Sequence, residues 1–437
     1  MTFLTVVVYC ALVALTLKTI GLCQDRRALG LSFGTLLGAL FFLAMPLGIA
    51  FVVGAIDDPG IMADPYLPFQ DIEVTYNLFL GWFICLLACW IDVFYFGQND
   101  DQQVVVEHPE SKVKLIVLAY MSIFIMSGYV RGLFTQGGHW HNTGTDIFKE
   151  SAGFTVLLNF ANSYRLLAFA GLVYLIENQK IAIKHGILFG GAIVAFDMLV
   201  SFNRISAAYF LIFLLIVLRQ HWVRVILALV VLAPVAAKVS TIWSWFRGVA
   251  TEDGFDVGQF ASKWSEVSSK YAAQGNRSFA DEMNGVFESS NIQVFSHLVK
   301  NVGDNIEVLW GYTYILRPLT AFIPSAVWPD KPNVFGSYLG VWINSYQGLS
   351  LNSTLFGEVY TNFFYFWPLV LLATLILLSV VYRHIRSVLP FSLELGTFVG
   401  FALWRFEVNF ALVSLYGLVL IALLSRFTVS KKLVWEG

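Results

Sequence analysis

Residues 30–53 read GLSFGTLLGALFFLAMPLGIAFVV, a stretch without a single charged side chain. An α-helix needs about 20 consecutive apolar residues to cross the hydrocarbon core of a bilayer. Runs of that kind recur along the chain, at about 2–22, 30–53, 76–97, 114–134, 153–176, 182–202, 205–219, 223–246, 363–382, 389–405 and 409–426. The chain has 437 residues, 57% hydrophobic and 13% charged, whereas a soluble domain is about 25% charged. The expected class is therefore an all-α polytopic membrane protein with eleven spanning helices. The shortest run, 205–219, is joined to its predecessor by Asn203-Arg204.

A formal net charge of −2 leaves no polybasic face for nucleic acid. The four cysteines, Cys10, Cys23, Cys85 and Cys89, lie in or beside apolar runs, so no extramembrane disulfide framework is expected. Cys85 and Cys89 are four apart on one helix, but no His or carboxylate with ligand spacing accompanies them, which favours packed thiols over a metal half-site. The N-terminus has neither a basic flank nor an A-x-A site and reads as a first spanning helix.

Basic residues set the orientation, because Lys and Arg accumulate in cytoplasmic loops. With the N-terminus outside, the inner loops hold Arg26 and Arg27, Lys112 and Lys114, Lys180 and Lys184, Arg219 and Arg224, Arg383 and Arg386, then Arg426, Lys431 and Lys432. The short outer loops hold only Lys149 and Arg204, with Arg405 at a helix end. The expectation is N-terminus out and C-terminus in. Residues 1–246 then form a first membrane bundle, 247–362 one large outer loop, and 363–437 the last three helices, all in one integrated domain. The first half of the loop reads as short amphipathic helices. Its second half is broken by Gly, Pro, Asn and Ser yet stays dense in aromatics, so it is expected to pack back on the bundle and line a cavity.

Charges inside spans are the sharpest chemical signal, since each costs at least about 2.5 kcal/mol at mid-bilayer unless paired or wet. Arg165, Asp197, Lys238 and Glu394 lie within spans, and Arg204 and Arg405 at outer ends. On the expected topology Arg165, Arg204, Arg405 and the loop residues Arg317 and Lys331 all face the outer half. Five cations of this kind suit a ligand of concentrated negative charge such as a diphosphate, whose oxygens match the guanidinium fork. The plainer alternatives are snorkelling to headgroups for Arg204, Arg405 and Lys238, helix–helix pairing for Asp197, and local pairing of Arg405 with Glu407. His139 and His141, in GGHWH near Asp146, lack the further ligands a metal needs. No GxSxG, HExxH, Walker A or usable GxGxxG occurs, and no outer loop carries Asp-x-Asp. That pattern favours a site in which arginines, not a metal, stabilise a leaving group.

RPLTAFIPSAVWPDKP, Arg317–Pro332, resembles the IPR-x-(I/L)WP-x-KP motif of the O-antigen polymerase (Wzy) family, with Ser325 where the family has arginine. GLSLNSTLFGEVYTNFF resembles that family's S-x-x-G-E-x-Y-x-N-F segment, and SFNRISAAYF and LWRFEVNFAL resemble its arginine-bearing helices. The close match covers residues 305–365. The resemblance implies a membrane glycosyltransferase with a GT-C-like helical bundle at the bacterial inner membrane, its site facing the periplasm. It implies transfer of a growing glycan from undecaprenyl diphosphate to a lipid-linked acceptor unit, without a cofactor and with a chain-length-regulating co-polymerase as a possible partner. In that chemistry Arg165, Arg204, Arg317, Lys331 and Arg405 are the diphosphate-binding candidates. Arg317 is also a catalytic candidate, with Glu358 or Asp330 accepting the acceptor's proton. Trp328, Tyr338, Trp342, Tyr346 and Tyr360 are candidates to stack on sugars, loop packing being the alternative. The prolines at 324, 329 and 332 hold the segment rigid. O-antigen ligase, a flippase for the lipid-linked unit, and a non-catalytic scaffold are the rival readings.

Overall fold

The computed structural model describes residues 3–26, 28–57, 61–62, 64–96, 164–201, 204–252, 260–273, 279–320, 323, 327–344, 351–386, 389–406, 408 and 411. The run at 114–134, that at 409–426 apart from Ala411, His139, His141, Asp146, Pro324, Ser325, Tyr346 and Glu407 lie outside these residues.

In chain order the helices are α1 (Phe3–Asp25), α2 (Leu31–Val53), α3 (Ile72–Ile91), α4 (Tyr164–Glu177), α5 (Ile183–Ser201), α6 (Ile205–Val217), α7 (Trp222–Glu252), α8 (Phe260–Ala273), α9 (Phe279–Val286), α10 (Ser290–Asn301), α11 (Phe335–Asn344), α12 (Leu355–Phe363), α13 (Trp367–Ile385) and α14 (Ser392–Ala402). No strand occurs among the described residues, only two isolated bridges. Among the described residues, four helices are long and apolar enough to cross a membrane: α1, α2, α3 with its π-turn extension to Tyr95, and the Leu355–Ile385 run of α12 and α13. A fifth arises if α6 and the start of α7, bent by 90° at Leu218, are one broken span. This is a helical membrane protein.

Local chemistry sets the ends. Asp71 caps α3 by accepting the Val74 N–H at 3.1 Å. Gly54 ends α2 at φ 103°, a left-handed conformation open to glycine. Pro368 stands in the first turn of α13, where no intrahelical N–H is lost. A π-turn over Leu40–Ala44 interrupts α2 just before Pro46.

The chain divides into two compact units, residues 1–107 with 287–437, and residues 108–286. In the first, α2 and α14 cross almost backbone to backbone. A Cβ on Gly34 would stand 1.8 Å from the Thr397 carbonyl oxygen, and one on Gly400 2.0 Å from that of Leu31. Small residues allow such approach where lipid gives helices no hydrophobic reason to associate. Polar side chains complete the seams. Trp404 donates to the Thr35 carbonyl at 2.8 Å, Trp82 to Thr16 at 2.9 Å, and Trp367 to Asn77 at 3.2 Å. The Ser32 and Ser379 hydroxyls meet at 2.7 Å, and Arg383 pairs with Asp92 at 2.9 Å, both buried. The amphipathic α10 buries Ile292, Val294, Phe295 and Leu298, with Phe295 edge-on to Phe356 of α12. Lys300 at its C-terminal end pairs with Asp71 at 3.1 Å.

In the second unit, α4, α5 and α6 surround a buried pair. Arg165 of α4 donates to Asp197 of α5 at 3.0 Å, and Ser206 of α6 donates to the same carboxylate oxygen. Phe169, Phe210 and Phe213 pack between α4 and α6. Trp243 and Phe246 of α7 pack with Phe260 and Trp264 of α8, and Tyr271 of α8 donates to Glu282 of α9. Lys238 is exposed on α7.

Candidate functional site

The Pro-broken segment and the following helix are stapled together. Asn362 of α12, fully buried, donates to the Thr313 hydroxyl at 2.8 Å and accepts the Thr313 N–H at 3.3 Å. One turn away the Leu309 N–H donates to the Thr361 carbonyl at 3.0 Å. Thr313 lies in the π-turn Tyr312–Leu316 that runs straight into Arg317. The residue order T-N in the GEVYTNF stretch thus fixes where the Arg317 segment sits on α12.

Arg317 and Lys331 are neighbours in charge. The Lys331 ammonium donates to the Ile323 carbonyl at 2.7 Å. Its pKa is held below the usual lysine value, first by burial and then by the Arg317 guanidinium. The Tyr338 phenol on α11 is pushed up by burial and by Tyr312, with Arg317 opposing. Tyr338 and Trp342, one turn apart on α11, are half-buried, with ring centroids 5.6 Å apart. Trp328 is half-buried and Asp330 exposed. The Asp330 carbonyl takes a long 3.5 Å hydrogen bond from Tyr312.

The second cluster surrounds α12. Glu358 is 3% exposed and accepts the Val408 N–H at 2.8 Å. That bond anchors the turn after α14, which carries Arg405. Glu358 and Arg405 line one partly open recess, with Thr354, Ser353, Phe335 and Phe406. Arg405 is itself engaged by Glu288 at 3.1 Å. Glu288 has φ 51°, in the left-handed region that non-glycine residues rarely adopt. Trp310 and Phe364, flanking the stapled segment, share that conformation at φ 47° and 41°. Such outliers persist only where surroundings impose them.

Among the sequence candidates, Arg317, Lys331, Asp330, Glu358, Arg405, Trp328, Tyr338, Trp342 and Tyr360 all belong to the first unit; Arg165 and Arg204 belong to the second. Three expectations change. Arg165 is committed to Asp197, so the pairing considered for Asp197 alone takes up the arginine as well. Tyr360 is 4% exposed with its ring among Phe295, Phe364 and Trp367, so no face is open for a sugar. Arg405 pairs with Glu288, over a hundred residues earlier, while Glu407 lies outside the described residues. Arg204 donates to the Ser240 hydroxyl at 2.7 Å, which ties α6 to α7.

Nothing in the sequence at Glu288 or Thr354 marks a structural role, and Asn362, although it stands in the GEVYTNF stretch, shows no sign there of its tie to Thr313. The one available signal was a buried-length apolar helix interrupted by Glu and Asn four residues apart. No protein-family model, curated protein or solved structure matches this chain.

Proposed function

We propose that this protein polymerises oligosaccharide repeat units carried on undecaprenyl diphosphate, at the periplasmic face of a bacterial inner membrane. In this reading the chain has eleven spans in a GT-C-like bundle, N-terminus out and C-terminus in, and builds O-antigen or a related surface polysaccharide. A chain-length-regulating co-polymerase is the further partner.

One observation carries the reading. The Asn362–Thr313 staple ties the helix that carries the buried Glu358 carboxylate to the turn that runs into the half-buried Arg317, whose charge Lys331 feels. The reaction needs those two kinds of group. An acceptor sugar hydroxyl attacks the anomeric carbon of the growing chain, and a C–O bond forms. The bond from that carbon to the diphosphate oxygen breaks, and its electron pair leaves with the lipid diphosphate. Arg317 and Lys331 hold the charge that grows on the departing phosphate. Glu358 is the proposed acceptor of the hydroxyl proton, preferred over Asp330 because the latter is exposed. Burial first and the Arg317 guanidinium second hold the Lys331 pKa down, and an anionic ligand beside the two cations would oppose that shift.

The test is complementation of a deletion strain, with surface glycans separated by electrophoresis. Arg317→Ala should insert and fold yet yield single repeat units, a loss of about 10²–10³ in rate by analogy with one oxyanion donor. A normal ladder of long chains from that variant would refute the role of Arg317. Accumulation of long lipid-bound polymer in the deletion strain would favour the ligase reading.

A further inference from the structure

The stretch that leads into Arg317 turns its apolar side outward. Leu309–Tyr312 is a tight turn, closed by the Tyr312 N–H donating to the Leu309 carbonyl at 2.9 Å, with positive φ at both central residues, Trp310 and Gly311. Helical residues follow without a break, the π-turn Tyr312–Leu316 and then Arg317–Leu319. Trp310 at the tip of the turn is 72% exposed, and Ile315 and Leu319, four apart on one helical face, are 52% and 63% exposed. Tyr312 is exposed on the same face, while Thr313, Tyr314 and Pro318 are buried. A water-facing amphipathic helix does the reverse and keeps its apolar stripe inside. The only charge on the stretch is Arg317, and the Nε and Nη1 atoms of that side chain are buried.

The neighbours of this stretch show what medium its outer side meets. α13 has 19 residues, about 28 Å at 1.5 Å per residue, which matches the roughly 30 Å hydrocarbon core of a bilayer. The helix alone fills that core, from Trp367 to Arg383 and Arg386. The turn before it, Phe364–Phe366, presents Tyr365 and Phe366 outward. Exposed aromatics gather where a span meets the headgroups. Trp310 stands beside that turn, because the Leu309 N–H donates to the Thr361 carbonyl at 3.0 Å and a Cβ on Gly311 would stand 3.7 Å from the Phe363 ring. The next residues reach into the span. The Tyr314 hydroxyl donates to the Thr374 hydroxyl at 2.9 Å, and the Tyr314 ring is edge-on to Phe363 with centroids 5.4 Å apart. Thr374 is seven residues on from Trp367, about 10 Å into the span. A phenol tied there lies within the hydrocarbon thickness, and the backbone that carries it is one side-chain length away. The outward stripe of Tyr312, Ile315 and Leu319 thus adjoins a spanning helix that itself shows Leu369 and Leu377 outward.

We infer that Trp310–Leu319 is a membrane-embedded lip: it lies in the bilayer boundary at which α13 begins, with Trp310 at headgroup level and Ile315 and Leu319 against acyl chains. The partner of this surface is lipid. Two observations select lipid over water, a second copy of the chain or another protein: the aromatic rim shared with Tyr365 and Phe366, and the Tyr314 phenol anchored inside the span. The stretch therefore leaves the solvated part of the loop expected over 247–362, and it carries Arg317 at the edge of the membrane. The inference goes beyond the polymerase reading and does not rest on it; it needs only that α13 crosses the bilayer.

The experiment is nitroxide EPR on the full-length protein in lipid nanodiscs. Cys10, the one exposed cysteine, is changed to Ser, and the buried Cys23, Cys85 and Cys89 remain. Cys10→Ser with no added cysteine sets the labelling background. Ile315→Cys and Leu319→Cys are labelled singly. Power saturation then compares collisions with oxygen, which concentrates among acyl chains, and with a water-soluble nickel chelate. Leu377→Cys on α13 is the lipid reference, and Asp304→Cys, exposed in the turn after α10, is the aqueous one. The oxygen-to-nickel ratio at 315 and at 319 should match Leu377→Cys and exceed Asp304→Cys. A ratio at the Asp304 level overturns the inference, because the stretch is then solvated. Low collision with both reagents overturns it as well, because protein then covers the face. Thermal melts matching wild type show that the labelled variants are folded, and each of the two positions decides without the other. Glycan ladders are a separate readout. Long chains from a protein whose two labels are solvated would keep the polymerase and remove the lip; lipid-buried labels on a protein that makes no polymer would keep the lip and remove the polymerase.

Discussion

The buried Arg165–Asp197 pair offers the most quantitative test of how this structure is held. The two charges sit 3.0 Å apart, with the aspartate fully buried and the arginine side chain 10% exposed. At an effective dielectric constant of about 20 their attraction is about 332/(20 × 3.0), or about 5.5 kcal/mol. The desolvation of both groups opposes that gain, so the net value of the pair is small. Removing one partner is different, because the other charge stays buried without this counter-ion. Arg165→Met or Asp197→Leu should therefore each cost about 3–5 kcal/mol. The double variant should recover most of this loss, since a packed apolar pair is often neutral or better. Ser206 must be changed to Ala in every background, because its hydroxyl donates to Asp197 and would otherwise be left unsatisfied. Equilibrium unfolding in mixed detergent micelles gives the four free energies of the cycle. A coupling below about 1 kcal/mol, with the single losses simply adding, would refute the account of a mutually compensated pair. The same variants locate Arg165 functionally. If the triple variant is as stable as wild type and still elongates glycans, Arg165 holds helices together and not substrate.

Two further outcomes follow from the first unit. Gly34→Val and Gly400→Val should each destabilise by more than the about 1–3 kcal/mol of ordinary overpacking, because the new atoms meet backbone and not a movable side chain; Gly191→Ala, with nothing within 4 Å, is the control and should be neutral or slightly stabilising in the same unfolding assay. Burial lowers the pKa of His297, with Lys300 adding and Asp64 opposing, so the folded state binds its proton less readily than the unfolded chain; stability should be full above about pH 6.5 and decline as pH falls through that value, and His297→Gln should flatten the decline between about pH 7.5 and 5.5 in thermal melts.

Span length was legible because the bilayer imposes it. The runs at 30–53 and 76–97 lie within a few residues of α2 and of α3 with its extension. The short run at 205–219, marked by Asn203-Arg204, does become an irregular place, the 90° bend at Leu218. The run expected to begin at 363 starts instead at Leu355, joined through the 3₁₀ turn Phe364–Phe366. Its earlier part reads as loop because Gly, Asn and Ser punctuate it. Glu358 and Asn362 are nonetheless helical and buried, since each is bonded to a residue distant in sequence: Val408 for Glu358, Thr313 for Asn362. Long-range partners of this kind leave no periodic trace. For the same reason the arginines were visible while their companions were not. An arginine in an apolar run stands out, but Glu288 or Asp92 in a polar turn or at a helix end looks ordinary.

The Asn362–Thr313 staple has a mechanical consequence. A residue pair that locks a turn to a rod at two points removes sliding and twisting between them, so Arg317 and the floor beneath Glu358 travel as a single lever. On the proposed polymerase reading, adaptation to a differently shaped glycan would then fall on parts outside that lever, such as the exposed rim near Val327 and Asp330. That reading would assign diversification of cargo and preservation of chemistry to separate pieces of one short stretch of chain.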